Sequence, residues 1–106
     1  MNKYLRIATK VAQKSRCRYK HGCVIVSNGR VISKAVNKKV GDPRHEWRRS
    51  HVHAEAAAAI AAGSRISGAH VYVARVNPDG EIRESKPCKK CEKYLWRMGV
   101  AKITWT

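Results

Sequence analysis

The sequence predicts an α/β fold of three layers, in which helices cover both faces of a mixed sheet of about four strands. Predicted elements follow the order helix, hairpin, helix, strand, helix, strand, and such alternation is typical of sheets whose later strands run parallel. An Asn-Gly pair at 28–29 lies between two β-rich runs and predicts that the hairpin is antiparallel. The length of 106 residues suits a single modest core, so we expect one domain over 1–106.

The first half of the chain contains one helix and the hairpin. Residues 3–15 place apolar side chains on one face at helical spacing and basic side chains on the other face. A basic linker at 16–21 leads into the two strands, CVIV at 23–26 and VISKAV at 31–36. Their β-branched residues favour extended backbone.

A long basic loop is predicted over 38–52, because its Gly-Asp-Pro sequence interrupts regular structure. Loops of this length in small domains are usually functional. We interpret Trp47, Arg48 and Arg49 as candidate substrate-binding residues, since an indole can stack on a base and guanidinium groups can hold phosphate.

The second half of the chain carries the remaining helices and strands. They are predicted as a helix at 53–62, a strand at 69–76, a brief pairing strand within 81–85, a helix at 87–98 and a last strand at 100–106. Gly63 and Gly99 are placed where the two helices would end. The first of these helices is so rich in alanine that we expect it to be buried against the sheet.

Charge is the most unusual feature of the composition. The 23 Lys and Arg residues outnumber seven Asp and Glu residues, which gives a net charge of +16. Such an excess indicates either a solubilising surface or a polyanionic partner, meaning nucleic acid or a phosphorylated substrate. No apolar run is long enough to span a membrane and no secretory signal is recognisable, so we expect a cytoplasmic protein.

Four residues at the starts of two predicted helices carry the candidate chemistry: His53, Glu55, Cys88 and Cys91. One imidazole and two thiolates suit Zn²⁺ and leave a fourth tetrahedral position open. Water at such a position becomes acidic enough to yield hydroxide near neutral pH, which is typical of catalytic zinc. Glu55, two residues after the histidine, is then expected to carry protons rather than to act as a fourth ligand.

Other interpretations of these residues stay open. A closed structural zinc site would take its fourth ligand from His51, His45 or Cys17. The Cys-x-x-Cys pair also occurs in disulfide oxidoreductases, although no predicted strand leads directly into it here. A reducing compartment argues against a disulfide framework. Cys23 lies in an apolar run and is interpreted as a buried core thiol.

Together, the segments His-Ala-Glu at 53–55 and Pro-Cys-Lys-Lys-Cys at 87–91 resemble the zinc-dependent cytidine and deoxycytidylate deaminase superfamily. The likeness extends to the hairpin CVIVSNGRVISKAVN, which is similar to the first two strands of the family. It also covers PCKKCEKYLWRMGVAKITW, which is similar to the cysteine helix and the strand after it. The resemblance implies a cytidine-deaminase-like fold, bound Zn²⁺ and a hydrolytic deaminase activity.

The resemblance also implies roles in substrate binding. Asn37 falls where family members use an asparagine to hold the substrate sugar, although a turn or capping role is equally consistent with its position. The backbone N–H groups of Ala54 and Cys88 would line the site of the ring. Lys86 departs from the family pattern, because nucleoside and polynucleotide cytidine deaminases have Ser-Pro-Cys at this point.

Three functions compete on this basis. The first is deamination of cytosine to uracil in a free nucleotide or nucleoside, namely dCMP, CMP or deoxycytidine. The second is deamination in single-stranded DNA or RNA, with Trp47, Tyr19 or Trp105 stacking beside a flipped base. The third is a non-catalytic zinc module that binds nucleic acid. Because members of the superfamily often form dimers or tetramers, a homo-oligomer is a further expectation.

Overall fold

The computed structural model describes residues 1–40 and 50–106. Three helices and seven strands lie within these ranges: α1 (Lys3–Ala12), β1 (Lys20–Ser27), β2 (Arg30–Val36), β3 (Lys38–Val40), β4 (Ser50–Val52), α2 (Ala54–Ala62), β5 (His70–Val76), β6 (Ile82–Arg83), α3 (Lys89–Arg97) and β7 (Lys102–Trp105). A short 3₁₀ turn over Gly63–Ile66 follows α2. None of the described helices is long and apolar enough to cross a lipid bilayer.

The central strand of the main sheet is β5. Along one edge it pairs antiparallel with β1, and β1 in turn pairs antiparallel with β2. Because β1 occupies that edge fully, β7 and β6 share the other edge, with β7 parallel and β6 antiparallel to β5. The predicted antiparallel hairpin and parallel last strand are confirmed. The sheet has five strands rather than about four, because the predicted brief strand pairs with β5.

Helices cover both faces of this sheet, as the sequence predicted. The alternation of side chains along β1 and β5 separates two buried clusters. One cluster packs against α1 and includes Ala8, Val24, Val26, Tyr72 and Ala74. The other packs against α2 and α3 and includes Cys23, Ile25, Val71, Val73, Ala58 and Leu95. Cys23 is the buried core thiol that its apolar neighbours predicted.

Several predicted boundaries are shifted. Helix α1 ends at Ala12 rather than at residue 15, because Ser15 turns away to donate a hydrogen bond to Asn37. Strand β1 begins at Lys20, within the segment predicted to be a linker. The segment 38–52 is not a loop throughout, because its two ends pair as the antiparallel ribbon of β3 and β4. Their backbone groups thereby pair with each other rather than with water.

The two later helices differ from the prediction in smaller ways. Helix α3 begins at Lys89, and Cys88 is its N-cap, so Pro87 precedes the helix rather than lying in its first turn. Met98 and Gly99 end it as predicted, with Gly99 at a positive φ of 89°. Helix α2 is buried along the sheet side, but Ile60 on its outer side is 71% exposed.

Gly22 allows α1 to lie directly on β1. A Cβ atom at this position would overlap the backbone carbonyl oxygen of Ala8 and the backbone nitrogen of Ala12. Since these are backbone atoms, no side-chain rotation can relieve the overlap. The close contact of helix and strand therefore depends on the missing side chain.

Gly22→Ala is expected to destabilise the fold by about 1–3 kcal/mol, because α1 must move away from the sheet. Chemical denaturation would measure the loss, and hydrogen exchange would show reduced protection of the α1 amides. Gly80→Ala is the matched control, since a Cβ at Gly80 meets no atom within 4 Å and only its positive φ of 85° is strained. Equal protection of α1 in both variants would contradict this account of Gly22.

Candidate active site

Two helix N-termini meet at the candidate site. His53 is the N-cap of α2 and Cys88 is the N-cap of α3. The imidazole of His53 makes no capping hydrogen bond, so it remains available as a ligand. The Nδ1 atom of His53 lies 3.2 Å from Sγ of Cys91 and 3.8 Å from Sγ of Cys88. The ligand atoms of the three residues all lie within 4.8 Å of one another.

These distances fit tetrahedral Zn²⁺. Zinc–nitrogen and zinc–sulfur bonds of about 2.0–2.1 Å and 2.3 Å separate nitrogen from sulfur by about 3.5 Å at tetrahedral angles. The two observed distances, 3.2 Å and 3.8 Å, lie on either side of that value. Two soft thiolates with one imidazole favour zinc over hard cations such as Mg²⁺. The donor set that the sequence predicted is therefore brought together with suitable spacing.

The local backbone holds the sulfur of Cys88 in place. Its Sγ accepts a hydrogen bond of 3.5 Å from the backbone N–H of Cys91, so the sulfur itself caps α3. Burial and the neighbouring Glu55 carboxylate raise the pKa of the Cys91 thiol to about 12. Binding of a dication there must consequently displace the Cys91 proton. Two thiolates, a neutral imidazole and Zn²⁺ sum to zero charge, which removes the cost of leaving a buried thiolate unpaired.

Glu55 lies in the first turn of α2 and is only 4% exposed. Burial raises the pKa of its carboxyl group, and this effect is opposed by a backbone hydrogen bond and by His53. The cluster of metal-ligating atoms does not include Glu55. A buried carboxyl of raised pKa beside a metal site is a candidate for proton transfer.

An open cleft of about 310 Å³ reaches these residues. Its wall comes from three segments of the chain: Tyr19, His21 and Asn37; His53, Ala54 and Glu55; and Ser85, Lys86 and Cys88. The cleft therefore holds two of the three metal-ligating residues and the candidate proton carrier. Ala54 and Asn37, both predicted to bind substrate, also line it.

Asn37 is strongly engaged with the segment before β1. Its Oδ1 accepts hydrogen bonds from Ser15 Oγ at 2.7 Å and from the His21 backbone N–H at 2.9 Å. Its Nδ2 donates to the carbonyl of Tyr19 at 2.6 Å. These contacts connect the end of β2 to the start of β1. The other N–H of the amide has no hydrogen-bond partner among the described residues, and the sugar-binding role of Asn37 stays a prediction.

The remaining predicted site residues either lie outside the described part of the chain or do not join the cluster. Trp47, Arg48, Arg49 and His45 lie outside the described residues, as does the side chain of His51. Cys17 is buried against the carbonyl of Asn37, with Sγ at 3.5 Å, and does not join the metal-ligating cluster. Within the described part of the chain, no fourth protein ligand completes the cluster.

Sequence reasoning missed the side chains that form the far wall of the cleft. His21 was assigned to a linker, yet it lies on β1 and shares the sheet face of Cys23 and Ile25. Alternation along the strand is the signal that could have found it. Ser85 and Lys86 were not predicted as lining residues, although they directly precede the Pro-Cys pair.

A second and more apolar groove of about 500 Å³ lies between α2 and α3. It touches His53, Cys88 and Cys91 but not Glu55, and its outer rim includes Ile60 and Tyr94. Although it is larger than the cleft, no carboxyl group of the described residues lines it. We therefore place the chemistry in the cleft that contains Glu55.

Replacement of Cys91 by serine is expected to weaken zinc binding by at least about 100-fold, since one of three protein ligands loses its thiolate. Competition with a chromophoric chelator would measure the dissociation constant, with His53→Ala and Cys88→Ser expected to behave in the same way. Cys17→Ser is the matched control, because that thiol lies outside the cluster. A zinc affinity that depends equally on Cys17 would contradict the assignment.

Solved structures share this fold. The apo dCMP deaminase of cyanophage S-TIM5 has a TM-score of 0.71 at 24% identity, over 97% of this chain and 81% of that chain. The cytidine deaminase of Mycobacterium tuberculosis has a TM-score of 0.61 at 22% identity, over 96% of this chain and 80% of that chain. Form 2 of Acinetobacter baumannii RibD has a TM-score of 0.63 at 24% identity, over 97% of this chain. The chain spans only 27% of that RibD chain.

The comparison with curated proteins finds no match. The family described as the cytidine and deoxycytidylate deaminase zinc-binding region matches residues 1–106, which is the whole chain. The match covers both ligand-bearing segments, and the donor set of His53, Cys88 and Cys91 is placed to hold the zinc ion that this family binds. The chain therefore belongs to the zinc-dependent cytidine and deoxycytidylate deaminase family.

Proposed function

We propose that the protein catalyses hydrolytic deamination of cytosine to uracil in a free nucleotide or nucleoside, with dCMP as the preferred class of substrate. One observation carries the proposal: buried Glu55 faces the same cleft as His53 and Cys88, directly beside a metal-ligating cluster that its carboxylate does not join. A proton carrier next to an open metal position is what addition of water to a ring carbon requires.

Zinc held by His53, Cys88 and Cys91 would supply a Lewis acid that lowers the pKa of water at the cleft. Glu55 accepts a proton from the attacking water and delivers it to N3 of the ring, while the water oxygen bonds to C4. Glu55 then takes the remaining proton from the oxygen on C4 and delivers it to the exocyclic amine. The bond between C4 and that nitrogen breaks, the C4 carbonyl forms, and ammonia leaves. The product is uracil, and no oxidant or reductant takes part.

Burial prepares Glu55 for both proton transfers. A fully exposed carboxylate would hold a proton too weakly to return it to the substrate at neutral pH. Desolvation in the first turn of α2 raises the pKa of Glu55. Its carboxyl group therefore holds a proton more tightly than an exposed one. The backbone N–H groups of Ala54 and Cys88 would orient the ring beside it, and Trp47, Arg48 and Arg49 remain candidates for contacts with the rest of the substrate.

Glu55→Gln is expected to lower kcat by about 10²–10⁴-fold while zinc stays bound, because the amide keeps the shape of the carboxyl group but cannot carry the proton. Spectrophotometric deamination assays and metal analysis of the same preparation would measure both quantities. Glu92→Gln is the matched control, since Glu92 lies in the first turn of α3 and does not line the cleft. Turnover within tenfold of wild type would overturn the role of Glu55.

Deamination of a polynucleotide is the second candidate, and exposure of Tyr19 favours it. The Tyr19 ring lines the cleft and is 61% exposed, with the guanidinium groups of Arg18 and Arg75 at 5.9 Å and 5.8 Å from its centroid. An exposed aromatic ring accompanied by cations can stack on a base of a single strand. The net charge of +16 agrees with either phosphorylated substrate.

Assays of dCMP, deoxycytidine and a single-stranded oligonucleotide with one cytosine would separate the candidates. We expect the highest kcat/KM for dCMP, with Glu55→Gln as the blank. Uracil formed mainly in the oligonucleotide, with activity that falls steeply as salt rises, would favour the polynucleotide function instead. Bound zinc and nucleic acid with no product from any cytosine substrate would favour the non-catalytic module.

A further inference from the structure

Lys86 lies at the cleft in a position that the proposed chemistry does not use. Its side chain is exposed and lines the same cleft as Glu55, His53 and Cys88, only two residues before the ligand Cys88. Proton transfer and metal binding are both accounted for by other residues. The positive charge of Lys86 is therefore not explained by proton transfer or by metal binding.

The backbone on both sides of Lys86 is anchored. Ser85 is buried, and its Oγ donates a hydrogen bond of 2.8 Å to the carbonyl of Val73 in the central strand. Ser85 also donates its backbone N–H to the carbonyl of Thr106 at 3.0 Å. On the other side Pro87 is buried and has a restricted φ, and Cys88 is tied to α3. The Lys86 side chain thus extends from a fixed point at the edge of the site.

The ammonium of Lys86 lies over an aromatic ring, and no carboxylate of the described residues pairs with it. Its Nζ lies 5.8 Å from the centroid of the Trp105 ring. Within the described part of the chain, a side-chain ion pair joins Arg83 to Glu81, and Lys86 forms no ion pair. A lysine that has no acidic partner keeps its three donors available for an anion.

The distribution of charge in the cleft determines where an anion can bind. A zinc ion held by two thiolates and an imidazole contributes no net charge, and Glu55 is the carboxylate that faces the cleft within the described residues. A phosphate group entering the cleft therefore meets no attraction at its base. The positive charge has to come from the rim, where Lys86 lies and where Arg75 packs over the Tyr19 ring.

We infer that Lys86 selects phosphorylated cytosine substrates by donating hydrogen bonds from its ammonium to a phosphate group at the mouth of the cleft. The inference rests on the proposed deaminase function and deepens it, because it assigns the preference for a nucleotide over a nucleoside to one side chain. Lysine binds phosphate as a compact charge with freely rotating donors, so it tolerates variation in the position of the phosphate. The phosphate belongs either to a mononucleotide or to a polynucleotide, and both are tested below.

The experiment compares wild type, Lys86→Gln, Lys86→Arg and Lys10→Gln with dCMP, deoxycytidine and the single-cytosine oligonucleotide. Lys10→Gln is the matched control, because it also removes one positive charge but lies exposed on α1, on the opposite face of the sheet from α2 and α3. It accounts for any general effect of net charge on the capture of anions. The quantity that decides is the ratio of kcat/KM for dCMP to kcat/KM for deoxycytidine.

We expect Lys86→Gln to lower this ratio by about 10- to 100-fold, which corresponds to loss of one charge-assisted hydrogen bond. The change should lie mainly in KM for dCMP, since the contact is remote from the reacting carbon. Lys86→Arg should retain most of the preference, and Lys10→Gln should retain all of it. The inference would be overturned if wild type preferred neither dCMP nor the oligonucleotide to deoxycytidine. It would also be overturned if Lys86→Gln lowered the preference for the phosphorylated substrate by less than twofold relative to Lys10→Gln.

The oligonucleotide identifies the source of the phosphate. If it is the better substrate and Lys86→Gln weakens its use more than Lys10→Gln does, the inference holds with a polynucleotide phosphate as the ligand. A loss confined to dCMP assigns the contact to the phosphate of a mononucleotide.

Binding measurements separate failure of this inference from failure of the deaminase proposal. If wild type deaminates none of the substrates, calorimetry with the zinc-loaded protein still compares dCMP with deoxycytidine. An affinity advantage of at least tenfold for dCMP that disappears in Lys86→Gln would support the phosphate contact even without turnover. Equal affinities for the two ligands would overturn it.

Discussion

The metal site depends above all on the close approach of two helix N-termini, because its three ligand atoms must surround one metal ion. His53 caps α2 and Cys88 caps α3, and their ligand atoms lie 3.8 Å apart although 35 positions separate them in the chain. Both helices pack on the same face of the sheet, through Ala58 and Leu95 of one core cluster. The core therefore sets the geometry of the metal site. A shift of either helix would separate the ligands.

The central strand β5 organises the surroundings of that point. It pairs with β1 on one edge and with β6 and β7 on the other, so its C-terminal end collects chain segments from both sides. The start of β1 brings Tyr19 and His21 to the cleft, and the segment after β6 brings Ser85 and Lys86. Asn37 fastens the first group, and Ser85 fastens the second to Val73. These two walls of the cleft are thus held by hydrogen bonds.

Electrostatics divides the cleft into a neutral base and a positive rim. At the base, two thiolates and an imidazole would balance the charge of a zinc ion, and burial raises the pKa of the Glu55 carboxyl group. At the rim, Lys86 is available to an anion and Arg75 accompanies the Tyr19 ring. Such a separation suits a substrate with an uncharged ring at one end and a phosphate at the other. The structure thus places part of the net charge of +16 beside the cleft, which composition alone cannot do.

By itself, the sequence determined the order of the elements, the hairpin, the three layers and the zinc donor set with Glu55 beside it. These follow from local signals: the Asn-Gly turn, residue periodicity and ligand spacing within one or two helical turns. Only the tertiary structure decided which other side chains face the site. Ser15 shortens α1 by bonding Asn37, and strand pairing converts both ends of 38–52 into a ribbon. Pairing of β1 with β5 and the hydrogen bond of Ser85 to Val73 bring His21 and Lys86 to the cleft. Both contacts join segments that are distant in the chain.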